Sequence, residues 1–172
     1  MAKTTVPLVS RDGTRDVRAA STESVADILE RELDSTIHDW MAHVEREPEL
    51  SRITLSYEER TGHLPKLLHE LIARLRRDTG TKAPLSAAAS QHGDLRRKQG
   101  YTVANVVDES RILQVSIFTT LHKNTNRVEF RKLLPDVVII ADEVDAQLKQ
   151  QMLRFMAADA EQKTQKNSRP AN

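Results

Sequence analysis

The side chains best suited to chemistry are two histidines, an arginine, a tyrosine and a glutamate, spread over three segments of the chain. His92 and Arg96 are four residues apart, so on a helix both lie on the same side. Glu109 follows about two helical turns after the turn at Tyr101, and a helical hairpin there would bring its carboxylate against Arg96. A fifth polar residue, His63, lies on an otherwise apolar segment. We predict that these five residues form a buried polar network or line a small ligand pocket.

Two roles are open for this predicted network. A partly buried Arg–Glu pair costs desolvation energy unless it is fully hydrogen-bonded, and such pairs can fix the register between helices. The same groups could line a pocket in which a ligand or a proton shifts the helices, because histidine changes charge near neutral pH. Of the two roles, the residues alone favour the structural one.

Known metal-binding and catalytic motifs are absent from the sequence. None of the six histidines forms a His-Glu-x-x-His zinc motif, and Glu59 and His63 are one residue too far apart for the Glu-x-x-His pair of di-iron bundles. The chain has no cysteine, which excludes disulfides and thiolate ligands. It also has no Gly-x-Ser-x-Gly element and no phosphate-binding glycine loop. The sequence therefore predicts no catalytic residue, no metal site, no cofactor and no enzymatic activity.

The residues around His92 bear on two further functions. The Gly-Asp-Leu-Arg that follows it matches neither the His-x-Leu-Lys-Gly of phosphotransfer modules nor the His-Glu-Leu-Arg box of kinase dimerisation helices. Arg96, Arg97 and Lys98 could attract a phosphate, but cations at a helix C-terminus also compensate the helix dipole. Because this basic run is local and the net charge is +1, nucleic-acid binding is not expected. Histidine phosphotransfer and metal binding stay as the less favoured alternatives.

The composition of the 172-residue chain is typical of a helical protein. Hydrophobic residues make up 38%, charged residues 30% and aromatic residues 3%, whereas an all-β sandwich would need more aromatic and β-branched residues. The first residues lack the apolar core of a signal peptide. The longest aliphatic run, Val137 to Ile140, is far shorter than a membrane span. We expect a cytoplasmic protein without a membrane span.

Amphipathic segments predict an all-α fold, an antiparallel four- to five-helix bundle with a long C-terminal helix. The predicted helices run from Ser21 or Thr22 to Pro48, from Ser56 to Gly80 with a kink at Pro65, from Pro84 to Gln99, from Thr102 to Lys123, and onward from Pro135. The inward face of the third helix is predicted to carry Ala87, Ala88, His92 and Leu95. Residues 1–20 are predicted to be a flexible leader, 21–160 a helical sensor-type domain and 161–172 a disordered tail.

Two stretches of the chain together resemble a known family. They are WMAHVEREPELSRITLSYEERTGHLPKLLHELIARLR, from Trp40 to Arg76, and AAASQHGDLRRKQGYTVANVVDESRIL, from Ala87 to Leu113. Here the chain is similar to the N-terminal (RsbRD-type) domain of RsbR-like RsbT co-antagonists, which is also found ahead of sensor histidine kinases and other outputs. The matching positions are Trp40, Pro65, His92, Arg96, Gly100, Tyr101, Thr102 and Glu109.

The resemblance implies a helical regulatory module of bacterial two-component or stress-response signalling. We therefore expect a non-enzymatic sensor domain that relays a ligand or partner signal through helix rearrangement. Its candidate partners are a second copy in a homodimer, a downstream regulatory protein or output domain, and a small-molecule ligand. No output domain follows the final helix, so the chain is either a stand-alone relative or part of a longer protein. The alternative is a structural helical module for protein interaction or dimerisation, with the near-heptad final helix as its seam.

Overall fold

The computed structural model describes residues 22–77, 83 and 85–167, and its regular elements within these ranges are α-helices. They are α1 (Val25–Arg31), α2 (Leu33–Arg46), α3 (Pro48–Ser51), α4 (Tyr57–Thr61), α5 (Leu64–Arg77), α6 (Ala87–Lys98), α7 (Val103–Lys123) and α8 (Phe130–Asn167). A single isolated β-bridge, between Glu23 and Val128, joins the start of α1 to the α7–α8 loop in the described part of the chain. The predicted all-α helical bundle with a long C-terminal helix is confirmed.

The bundle is held together by one main apolar core between its longer helices. Helix α8 packs on α5, α6 and α7, while α2 packs on α7 and α1 packs on α5. Trp40 of α2 is fully buried at the centre of this core. Each fully buried leucine or isoleucine contributes about 1.5–3 kcal/mol. The buried aliphatic residues include Ile28, Leu29, Val44, Leu64, Leu68, Leu71, Ile72, Val106, Ile117 and Ile140.

The first predicted helix begins later than predicted and is divided into two helices. It begins at Val25, because the Ser24 side chain accepts a hydrogen bond from the Asp27 amide, and Ser21 lies outside the described residues. A break at Glu32 separates α1 from α2. As predicted, the helix ends before Pro48: α2 stops at Arg46 and Glu47 is extended, and Pro48 then opens the short α3, where its missing N–H has no helical partner to lose.

Two other predicted boundaries are also corrected. Helix α6 begins at Ala87, capped by Ser86, whose hydroxyl accepts from the Ala89 amide at 2.8 Å, while Pro84 lies outside the described residues. Helix α8 begins at Phe130 and contains Pro135, which was predicted to mark its start. The carbonyl of Arg131 loses its helical donor at this proline, but both residues are exposed, so water can take that place.

The predicted ends of the domain fall partly outside the described residues. The leader, 1–20, lies outside them, as do residues 168–172. Residues 161–167, predicted to belong to a disordered tail, continue α8 as helix. Glutamate, glutamine and lysine supply five of these seven residues, and their high intrinsic helix propensity explains the difference. No helix in the described ranges is both long enough and apolar enough to span a bilayer.

Helices α6 and α8 approach each other closely at Gly93. A Cβ atom added to Gly93 would lie 2.3 Å from the carbonyl oxygen of Gln151 and 3.0 Å from its carbonyl carbon and Cα. Such distances are shorter than any van der Waals contact, so only glycine fits at this position. Residue 93 therefore brings α6 against α8 and sets which face of α6 is buried.

That face differs from the predicted one. Ala88, His92 and Arg96 are buried, but Ala87 is exposed and Leu95 keeps 40% of its surface exposed. Each helical residue is turned by about 100° from the one before it, so a helix that buries Gly93 and Arg96 turns Leu95 outward. The predicted stripe was correct for Ala88 and His92 and wrong for Ala87 and Leu95.

Candidate functional site

The turn between α6 and α7 places the polar residues of the predicted network. Helix α6 ends in a Schellman motif, in which the Tyr101 amide donates to the Arg96 carbonyl at 3.1 Å and the Gly100 amide to the Arg97 carbonyl at 3.3 Å. Gly100 has φ +82°, a left-handed conformation that glycine adopts without strain. A capping box between Thr102 and Asn105 then starts α7. This geometry sets the Tyr101 ring against the Arg96 guanidinium, whose central carbon lies 4.7 Å from the ring centroid.

Glu109 lies at the centre of the network. Its Oε2 accepts a hydrogen bond from Arg96 Nε at 2.8 Å and lies 3.4 Å from His92 Nε2, and its Oε1 accepts from the Tyr101 hydroxyl at 2.6 Å. Arg96 is completely buried, and Glu109 and His92 each keep 3% of their surface exposed. The contact predicted between Arg96 and Glu109 across the hairpin is therefore present, and two further partners share the carboxylate.

Arg96 has a second task at the end of α4. Its Nη1 donates to the carbonyl of Glu59 at 3.1 Å, and its Nη2 donates to the carbonyl of Arg60 at 2.8 Å. These carbonyls belong to the last turn of a five-residue helix, where no further turn supplies donors. One guanidinium thus pairs with Glu109 and satisfies the C-terminus of α4, which locks three helices together.

The two imidazoles stack on each other beside Trp40. The ring centroids of His63 and His92 are 3.6 Å apart and nearly parallel, at 13°. His63, at the junction of α4 and α5, also meets the Trp40 ring edge-on at 6.1 Å. The Trp40 indole in turn donates to the backbone carbonyl of Glu109 at 3.2 Å. The Nδ1 atoms of both histidines are buried and lack a hydrogen-bond partner among the described residues.

Burial and neighbouring charges keep these groups in defined protonation states. Burial, His92 and the Arg96 charge hold the pKa of His63 well below its usual value, and burial lowers the pKa of His92 although Glu109 opposes this. Burial would raise the pKa of Glu109, but hydrogen bonding to His92 and the charge of Arg96 outweigh it and lower that pKa. At neutral pH the site therefore holds two neutral imidazoles beside an ionised carboxylate.

The imidazole pair separates a surface groove from an internal cavity. The groove has a volume of about 320 Å³ and is lined by α4, the α4–α5 junction and α6, with His63 and His92 in its wall. The cavity has a volume of about 10 Å³, and its lining includes both histidines, Glu109 and Trp40. A molecule in the groove would therefore touch the network directly, while the cavity has room for about one water-sized particle.

One possible ligand set for a metal ion comes from three separate helical regions. His63, His92 and Glu109 each offer a ligand atom, and these atoms lie within 4.8 Å of one another. A motif search within one helix could not find this set, because its members are 29 and 17 residues apart in the chain. The arrangement can hold a proton, a hydrogen-bonding ligand or a cation.

Sequence reasoning missed Arg60, which extends the network toward α3. Its Nη1 donates to the Tyr101 hydroxyl at 3.2 Å, and its Nη2 donates to the carbonyls of Leu50 and Ile53. Arg60 lies on α4, four positions before the buried Leu64 that begins α5, so the apolar spacing of α5 continues back to it across the turn at Gly62 and His63. That spacing is the signal that could have identified it.

A second buried polar cluster, also missed, joins α5 to α8. Arg74 Nη1 donates to Glu143 Oε2 at 3.0 Å, and Gln147 donates to Glu143 Oε1 at 3.0 Å and to the Leu67 carbonyl at 3.2 Å. Gln151 continues this polar face of α8 by one more turn and is buried beside the network cavity. The face recurs every four residues, but hydropathy patterns assign such residues to solvent.

Comparison of the chain with protein-family models, with curated proteins and with solved structures found no match.

Proposed function

We propose that the chain is a non-enzymatic signal-transduction domain in which the buried network controls how α6 packs on α8. The observation that carries this proposal is the adjacency of His92 and Gly93. His92 belongs to the network, and Gly93, the next residue, lies against the backbone of Gln151. Any input that changes the contacts of His92 therefore acts at the crossing of α6 and α8.

The energetics of the network support a regulatory role over a purely stabilising one. A buried ion pair such as Arg96 and Glu109 adds little net stability, because desolvation offsets most of its attraction. Removing one partner, in contrast, leaves an uncompensated buried charge at a cost of about 3–5 kcal/mol. A network of this kind responds strongly to a change at any one member, which is what a sensor requires.

The groove supplies the route by which an input reaches the network. Its volume of about 320 Å³ is at the lower end of the range of small-molecule sites. Its lining combines the two imidazoles with Glu58, Lys66 and Leu95, so it offers charged, polar and apolar contacts. We assign a small-molecule ligand or a partner segment to this groove.

The resemblance to the RsbR-like family gives the proposal its wider setting. In that setting the chain is a cytoplasmic bacterial regulator of two-component or stress-response type. Helix α8 then carries the signal to a downstream regulatory protein or output domain. Support for this part of the proposal comes from the sequence positions shared with the family pattern, of which His92, Arg96, Tyr101 and Glu109 meet in one network.

A second candidate function, a dimerisation module, is favoured by an exposed apolar stripe on α8. Phe130, Leu134 and Val138 recur every four residues and keep 75%, 72% and 67% of their surface exposed. Arg131 lies at the start of the stripe and Asp145 beyond its end, each seven residues from Val138, so antiparallel pairing with a second copy centred on Val138 would place opposite charges together. Leu134→Asp should then convert a dimer into a monomer in size-exclusion chromatography with light scattering. A wild-type chain that is monomeric at all concentrations contradicts this function.

The relay function is tested by a distance measurement between spin labels. Because the chain has no cysteine, Tyr57→Cys on α4 and Leu153→Cys on α8 give a unique label pair in the full chain. Glu109→Gln should shift the distance between these labels by about 2 Å, the size of typical helix shifts in switching proteins. Asp108→Asn, the same chemical change one residue away, should leave it unchanged.

A second label pair keeps the result specific. Ser35→Cys on α2 and Val115→Cys on α7 report on helices that are not expected to move. Identical Tyr57–Leu153 distances in wild type and Glu109→Gln, with helicity retained by circular dichroism, would refute the relay. A shift in both label pairs would indicate general loosening of the bundle and would also count against it.

A further inference from the structure

The network contains the parts of a metal site that the sequence did not predict. His63, His92 and Glu109 supply two imidazole nitrogens and one carboxylate oxygen, within 4.8 Å of one another. Two histidines with one carboxylate suit zinc and neighbouring first-row transition ions, and three protein ligands leave a position free.

One edge of the ligand set already has the required length. In a tetrahedral site with bonds of about 2.1 Å, neighbouring ligand atoms are about 3.4 Å apart. His92 Nε2 and Glu109 Oε2 are separated by 3.4 Å. His63 completes the set if its ring turns out of the stack, and no hydrogen bond to its Nδ1 opposes that turn.

The cavity and the unpartnered Nδ1 of His63 are independent observations that point to a ligand. The internal cavity of about 10 Å³ is lined by all three candidate ligands, so the space for one small particle lies where they meet. Buried polar atoms without a partner, such as Nδ1 of His63, are rare in proteins and call for an ion, a water or a function.

The surrounding side chains match the outer shell of a metal site. Tyr101 donates to Oε1 of Glu109, and Arg96 donates to Oε2 at 2.8 Å. Ligating carboxylates are commonly hydrogen-bonded in this way, which fixes their orientation. Since a carboxylate oxygen has two lone pairs, Oε2 can accept from Arg96 and still bind a cation.

We infer that His63, His92 and Glu109 bind one divalent first-row transition ion, such as Zn²⁺, in the internal cavity that they line together. The free coordination position opens to the groove or to the cavity. This inference rests on the proposed function in that it names the ligand class of the same site. Binding would pull the His63 ring toward Glu109 and so change the packing beside Gly93.

The test is calorimetric titration of the full, untagged chain with zinc chloride after removal of metals by a chelator. We expect one zinc ion per chain, and at least tenfold weaker binding for His63→Leu. This variant should remain folded, because leucine replaces a ring whose Nδ1 has no partner and which packs against Trp40. His38→Gln, at an exposed histidine on α2, is the matched control and should bind as the wild type does.

Each outcome separates this inference from the relay. Absence of saturable zinc binding, or equal affinity in wild type and His63→Leu, overturns the metal site, even if Glu109→Gln still shifts the Tyr57–Leu153 label distance. Site-specific zinc binding that leaves this distance unchanged supports the metal site and counts against the relay. A loss of affinity in His38→Gln as large as in His63→Leu would assign binding to surface histidines and would also overturn the inference.

Discussion

Replacement of Gly93 by alanine should destabilise this protein, although the same change usually stabilises a helix. The added Cβ would lie 2.3 Å from the Gln151 carbonyl oxygen and 3.0 Å from two further backbone atoms of that residue. These atoms belong to the main chain of α8 and cannot rotate away. The helices must therefore separate by about 1 Å or more to restore van der Waals contact.

The expected magnitude follows from two opposing effects. Alanine is favoured over glycine in a helix interior by about 1 kcal/mol. Overpacking typically costs about 1–3 kcal/mol, and the upper end applies here because the clash is between two backbones. The net expectation is a loss of about 2 kcal/mol in the free energy of unfolding, which for a chain of this size lowers Tm by about 4–8 °C.

Urea unfolding followed by circular dichroism at 222 nm measures this loss. Gln91→Ala is the control, because it lies on α6 but is exposed, and it should change the free energy of unfolding by less than about 0.5 kcal/mol. A Gly93→Ala protein as stable as the wild type, or more stable, would mean that α6 and α8 do not approach as closely as described. Coupling between the polar network and α8 through Gly93 would then be refuted.

Three further predictions concern the network and its turn. The free energy of unfolding should fall as the pH drops below about 6.5. Burial lowers the pKa of His63 and His92, so below this pH the unfolded chain takes up protons that the folded chain does not. Each histidine adds a slope of up to about 1.4 kcal/mol per pH unit. Urea titrations at pH 7.5 and 5.5 measure this loss of stability, and His63→Leu should roughly halve it. Equal stability at both pH values would contradict the lowered pKa of the two histidines. In the same assay, Glu109→Gln should lower the free energy of unfolding by about 3–5 kcal/mol and Asp108→Asn by less than about 0.5 kcal/mol. Similar losses in the two variants would show that the buried charge of Glu109 does not stabilise the network. Gly100→Ala should lower the free energy of unfolding by about 1–2 kcal/mol, because alanine is strained at φ +82°. No loss would mean that the turn can change its conformation.

The sequence could predict the local part of the site. Arg96 and Glu109 are linked by a short turn with strong capping signals, so helical spacing alone brings them together. His63 was recognised as polar on an apolar segment, but its stack with His92 depends on how α5 meets α6, and no local pattern encodes that contact.

The parts that sequence reasoning missed depend on side chains that act against their usual hydropathy. Leu95 was placed inside and is exposed, while Arg60 is buried because three carbonyl and hydroxyl acceptors surround its guanidinium. Glu143 and Gln147 are buried for the same reason, because each has a hydrogen-bond partner in the interior. Such partners come from other helices, so the burial of these residues follows from tertiary structure rather than from local periodicity.

The length of α8 has a mechanical consequence. Its 38 residues span about 57 Å, and the stretch from Gln151 to Asn167 extends about 24 Å from the point where Gly93 touches the helix. With Gly93 as the fulcrum, a tilt of about 5° would carry the far end of α8 through about 2 Å. The helix thus acts as a lever arm. A displacement that is small at the imidazoles becomes larger at the far end of α8, where a binding partner can respond to it.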